Sequence, residues 1–153
     1  MRTKLIILTA IAVLLNISCN NNSKSPETKS KSKVDSLMDD IMANHGTGMA
    51  KMNKISVVQG QMQHLLDSIT GLHRGSNKEN TVLKTDLDSL LAHLRSVESR
   101  MNQWMDEFNM DSLENKPEER IQYLESERQK TEMMKNDMIS LLQKSDSLLV
   151  RKN

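Results

Sequence analysis

A chain of 153 residues with 21 Lys+Arg against 20 Asp+Glu carries a formal charge of +1 and lacks the basic excess of a nucleic-acid binder. A single Cys excludes an internal disulfide and a cysteine-built zinc cluster, and 5 Gly with 2 Pro give too few turn signals for a β-sandwich or barrel. The apolar 37% includes 12 Met but one Trp, one Tyr and one Phe, so the core must be built from aliphatic groups and flexible thioethers.

Residues 1–18 read as a leader outside the fold. Arg2 and Lys4 form a basic start, and the apolar stretch Leu5 to Leu15 is interrupted only by Thr9. A span of that length falls short of the roughly 20 apolar residues that cross a bilayer and fits a secretory hydrophobic segment. Cys19 follows directly after Asn16-Ile17-Ser18. This string resembles the lipobox of bacterial lipoproteins, in which a small residue precedes a cysteine that is diacylated and becomes the new N-terminus. Ser18 fits that pattern, while Asn16 departs from the usual Leu. The resemblance implies lipidation of Cys19 and attachment to a membrane of the bacterial cell envelope. Ordinary secretory cleavage and an uncleaved anchor are the competing readings. More than one acyl chain on one cysteine gives stable anchoring.

The leader holds two basic and no acidic residues, so its removal leaves 19 basic against 20 acidic and a charge of −1. The apolar fraction falls to about a third, normal for a narrow bundle in which each helix buries only a stripe. Asn20 to Lys33 is polar, low in complexity and without a large apolar residue, and with Cys19 it is predicted to form a lipidated, disordered linker. Fourteen such residues span roughly 20 Å. Their excess of Lys favours anionic headgroups. The acidic cluster that serves as a surface-export signal in Bacteroidetes lipoproteins has no counterpart after Cys19, which implies a periplasm-facing location.

Beyond the linker the period is seven. One track runs Met38, His45, Met52, Gln59, Leu66 and a second Ile41, Gly48, Ile55, Met62, Ile69, widened by Leu37, Met42, Met49 and Leu65. Ser32-Lys33-Val34-Asp35 has capping-box spacing, which starts a first helix over about 34–69. Thr70 to Asn77, with two glycines, closes it. A second helix over about 78–108, opened by Ser76-Asn77-Lys78-Glu79, carries Leu83, Leu90, Val97, Trp104 and Leu87, Leu94, Met101, Phe108. A third, over about 117–150, opens at Pro117 with acids in its first turn. Its apolar positions are interrupted by Arg128, Thr131 and Lys135, so its middle is expected to be the least buried, and either that middle or the polar flanks of the bundle are expected to dock partners. The fold expected for 34–153 is all-α, an elongated antiparallel three-helix bundle or coiled coil. The alternative is a helical hairpin whose third helix pairs with a second subunit.

An up-down-up path makes facing residues of the first two helices sum to about 148, and those of the last two to about 225. His45 then lies beside Met101, Trp104 and Met105, and Trp104 faces Ile121 with Tyr123 and Leu124 one turn away. Gly48 on a core track would leave space for Trp104. His64 and His93 miss this register, and His73 belongs to a loop.

His45, Met49 and Met52 stand at i, i+4 and i+7 on one face, and with Met101 and Met105 they form a candidate soft-metal site. Imidazole and thioethers suit Cu(I), and Trp104 would supply a cation–π contact or simple packing. The bland alternative makes methionine a core filler and His45 a neutral, hydrogen-bonded core residue. A Met/His-ligated haem is a third option, without a CxxCH for attachment. No nucleophile elbow, phosphate loop or HExxH is present, so no catalytic residue and no cofactor is expected, with copper as the alternative.

Three segments, His45 to Met52, Met101 to Phe108 and Tyr123 to Met138, resemble a group of short Bacteroidetes lipoproteins labelled "viral A-type inclusion protein". In that group a His-x-x-x-Met-x-x-Met helix, a Met-x-x-Trp-Met-x-x-Phe helix and a third helix containing Tyr-Leu recur. Gly46 departs from the acidic residue that often follows the histidine. The resemblance implies a helical lipoprotein and no mechanism. The expectation is therefore an envelope-anchored structural or protein-interaction module with a protein partner or self-association, or alternatively a periplasmic copper-binding or buffering protein.

Overall fold

The computed structural model describes residues 32–71 and 78–150. The leader, Cys19, nearly all of the linker, the second capping box up to Asn77 and His73 lie outside the described residues. Three helices make up the fold: α1 (Lys33–Gly71), α2 (Lys78–Glu107) and α3 (Pro117–Val150). Each bound falls within two residues of the heptad reading. The Asp35 amide donates to Ser32 Oγ at 3.1 Å, so the predicted cap forms at the start of α1.

The pairing directions follow from side-chain partners. Asn44 accepts from Lys135, and Lys33 and Lys54 pair with Glu125 and Asp146, so α1 and α3 run parallel at a nearly constant offset. Gln59 donates to Glu98 and Arg95 donates to Gln63, which makes α1 and α2 antiparallel. The three helices of this one chain pack together as a bundle. α1 and α3 pack most extensively, with α2 laid against both.

That imbalance turns the buried stripe of α1 toward α3. Ile41, Gly48, Ile55 and Met62 form its centre, with Leu37 and Val58 beside them. The track of His45, Met52 and Gln59, expected in the core, instead occupies the half-buried margin facing α2. Met42 and Met49, expected to widen the core, are 44% and 37% exposed for the same reason.

The middle of α3 corrects the expectation more sharply. Thr131 is fully buried and Glu127 is 5% exposed, so the inward face of this stretch is part of the core, while Met133 on its outer face is 50% exposed. Heptad steps from Leu124 reach Thr131, Met138 and Ser145, and all four are buried. The two hydroxyls avoid the cost of burial by donating to carbonyls of their own helix: Thr131 to Glu127 and Arg128, and Ser145 to Leu141.

Residue size alternates along the α1/α3 seam. The offset brings Ile41 level with Thr131, Gly48 with Met138, and Ile55 with Ser145. The middle layer shows what the glycine makes room for: a Cβ on Gly48 would stand 2.6 Å from Met101 Cε and 3.4 Å from Met138 Sδ, so the Met101 methyl would have to move. The space belongs to these two methionines and not to Trp104. Gly46 and Gly60 have open space where a Cβ would be.

The α2–α3 connection sets the second register. Phe108 continues the α2 ladder by donating to the Trp104 carbonyl, and residues 109–116 then fold beside the first turns of α3. The Asn109 amide donates to Tyr123 Oη, and Arg120 donates to the carbonyls of Met110 and Ser112. Leu113 takes a left-handed φ of 61° within this clamp. Because the loop occupies the start of α3, α2 meets α3 about two turns later than a simple hairpin would place it. Trp104 consequently faces Glu127 and not Ile121.

Candidate functional site

The described residues converge on one polar and aromatic layer at the end of the bundle that carries the α2–α3 connection. Four rings form a ladder across all three helices. His45 and Trp104 have centroids 5.2 Å apart and tilted by 40°, Trp104 stacks on Phe108 at 4.7 Å, and Phe108 lies 6.3 Å from a nearly parallel Tyr123. The convergence of His45 with the three aromatics follows the sequence expectation. Offset stacking of this kind adds about 0.5–1.5 kcal/mol per pair beyond area burial.

Glu127 is the residue that sequence reasoning missed. The Trp104 indole Nε1 donates to Glu127 Oε2 at 2.8 Å, and Lys130 Nζ reaches Glu127 Oε1 at 2.7 Å. An indole N–H placed in a core needs an acceptor. Here the acceptor is a buried carboxylate whose charge is balanced by a cation half in solvent. The hydrogen bond from Lys130 to Glu127 holds the Lys130 ammonium above its ordinary 10.5, against a smaller opposing effect of burial. The available signal was positional: one heptad before Met134 is Glu127.

The five residues of the candidate metal set divide by burial. Met101 is fully buried against Gly48, Met52 is half-buried, and Met49 and Met105 are each 37% exposed at the rim. His45 is half-buried, and its Nε2 is enclosed without a hydrogen-bond partner. It is therefore not the hydrogen-bonded core histidine of the bland alternative. Among the described residues, no three His, Cys, Asp or Glu side chains are grouped to hold a metal ion.

Elsewhere, His93 lines a shallow groove between α2 and α3 with Ser96, Arg100, Asp137 and Lys144. Arg100 is paired to Asp137 there at 2.7 Å. The Gln59–Glu98 and Gln63–Arg95 bonds show the α1/α2 register moving by about two turns from the His45–Trp104 layer, so the single register used to separate His64 from His93 does not hold. The two are still parted, because His93 looks toward α3. No helix among the described residues is long and apolar enough to cross a membrane. No protein family, curated protein or solved structure matches the chain.

Proposed function

We propose that this protein is an envelope-anchored helical lipoprotein that acts as a structural or protein-interaction module, tethered through lipid on Cys19 and facing the periplasm. The observation that carries the reading is a bundle whose interior is closed by its own side chains. The central layers of α1 and α3 fill one another, and the buried charged group among the described residues, Glu127, is bound by Trp104 and Lys130. Such an interior provides stiffness and surface, and the reading is accordingly non-enzymatic. Helices of 39 and 34 residues are about 58 and 51 Å long, a reach suited to holding partners away from a membrane. The rim methionines Met42, Met49 and Met105 are adaptable contact groups on that surface.

The test is fractionation of cells producing the native chain and Cys19→Ser. The native protein should sediment with membranes and be released by detergent, and the variant should be soluble. Persistent membrane association of the variant refutes the anchor. Sedimentation velocity of the detergent-extracted protein then reads self-association or a co-migrating partner, and a lone monomer at all concentrations argues against the module.

A further inference from the structure

Beyond a scaffold, two buried side-chain nitrogens among the described residues take no hydrogen-bond partner, Arg128 Nε and His45 Nε2, and of these only the imidazole has a lone pair to offer an ion. Nε2 of His45 is buried and takes part in no hydrogen bond, a state that costs a polar group about 1–3 kcal/mol. Its neighbours are soft. The α1 stripe that bonds Glu98 through Gln59 leads, in heptad steps, to Met52 and then His45, and the matching α2 stripe leads from Glu98 to Met105. The His45–Trp104 contact and the approach of Met101 to Gly48 share one register, which brings Met105 level with the turn that carries His45. Met49 is one helical turn from His45, on the side away from α3.

The burial pattern divides the methionines into enclosed filler and open positions, and Met42, Met110 and Met133 share the open class with Met49 and Met105. Met62 and Met138 are wholly enclosed, whereas Met49 and Met105 leave more than a third of their surface open beside the histidine. Trp104 presents its indole to the same imidazole at 5.2 Å, with Nε1 fixed by Glu127. Imidazole and thioether donors suit a soft monovalent ion, and an anchored indole adds cation–π attraction. The described residues contain no cluster of His, Cys or carboxylate groups that would favour zinc or a harder ion.

We propose that His45 Nε2 and the thioethers of Met49 and Met105 form a Cu(I) site at the margin between α1 and α2. Met52 and Met101 lie behind it as further sulfur donors, and Trp104 caps it. Only binding is involved; the ion enters and leaves as Cu(I), with no change of oxidation state.

The test is anaerobic titration of the full chain in detergent with Cu(I), against a chromogenic Cu(I) chelator. One equivalent should bind with submicromolar affinity and quench Trp104, the only tryptophan. Excess Zn(II) should not displace it. His45→Ala should weaken binding at least a hundredfold. Met49→Leu and Met105→Leu, which preserve side-chain volume at open positions, should each weaken it at least tenfold with unchanged thermal unfolding. Met62→Leu should bind as the native chain does. Micromolar or weaker affinity, unchanged Trp104 emission, or affinity unaffected by Met105→Leu would overturn the proposal. The methionine variants decide the matter even if His45→Ala unfolds.

Discussion

Removing the carboxylate of Glu127 isolates the energetics of the aromatic layer. In Glu127→Ala the Trp104 indole N–H loses its acceptor inside a site that is only 5–6% exposed, and an unsatisfied buried donor costs about 1–3 kcal/mol. The Lys130 partner adds less, because its side chain is 53% exposed and pairs of that kind are worth about 0–1 kcal/mol. The expected loss is therefore about 2–3 kcal/mol. Glu127→Gln keeps an acceptor oxygen for the indole and gives up only the charge, so its loss should be about 1 kcal/mol or less. Urea unfolding followed by circular dichroism measures both differences, and Trp104 emission reports on the ring environment in the same samples. Equal losses for the two variants, or a Glu127→Ala loss below about 1 kcal/mol, would refute the claim that the indole bond is the main term.

Two further outcomes follow from named contacts. Because the folded state raises the Lys130 ammonium above 10.5, its contribution is fully present below that value and disappears as pH climbs through the folded one. The stability difference between the native chain and Lys130→Met should thus be constant through neutral pH and close only above about 10.5; a change near neutrality would contradict it. Gly46→Ala and Gly60→Ala should each stabilise by about 1 kcal/mol, since nothing lies within 4 Å of the added carbon. Gly48→Ala should lose most of that gain by displacing the Met101 methyl, and equal melting temperatures for all three variants would disprove the role given to Gly48.

The heptad pattern made the three helices legible because period-seven burial is written directly in residue type. Leu87, Leu94 and Met101 are all fully buried where the second-helix tracks placed them. The His45–Trp104 contact was legible as well, since an up-down path with facing residues summing to about 148 puts the two at one level, although the Gln59–Glu98 and Gln63–Arg95 bonds depart from that register. The pairing of Trp104 with Glu127 was not, because it depends on a loop whose hydrogen bonds to Arg120 and Tyr123 shift α3 along its axis. Thr131 looked like an interruption, and Ser145 was not placed in the core, because polarity was read before size. Their hydroxyls satisfy themselves on the helix, and their small volume is what the facing isoleucines use. Met42 and Met49 were assigned to the core because two heptad tracks cannot reveal which neighbour a helix will embrace more closely.

The large-and-small alternation of Ile41, Gly48 and Ile55 against Thr131, Met138 and Ser145 also acts as a vernier. Heptad sequences are prone to slide by whole repeats, since a shift of seven returns every apolar residue to an apolar site. In this chain a seven-residue slip of α3 would drive Met138 against Ile41 and leave Gly48 opposite Ser145, a collision in one layer and a void in the next. Crowding of that kind costs about 1–3 kcal/mol, and a void of a methylene or more costs a comparable amount. The Lys54–Asp146 and Lys135–Asn44 partners would be separated in the same move. Two parallel helices separated by an entire intervening helix thus meet at a single setting, and it is graded side-chain volume that excludes the neighbouring ones.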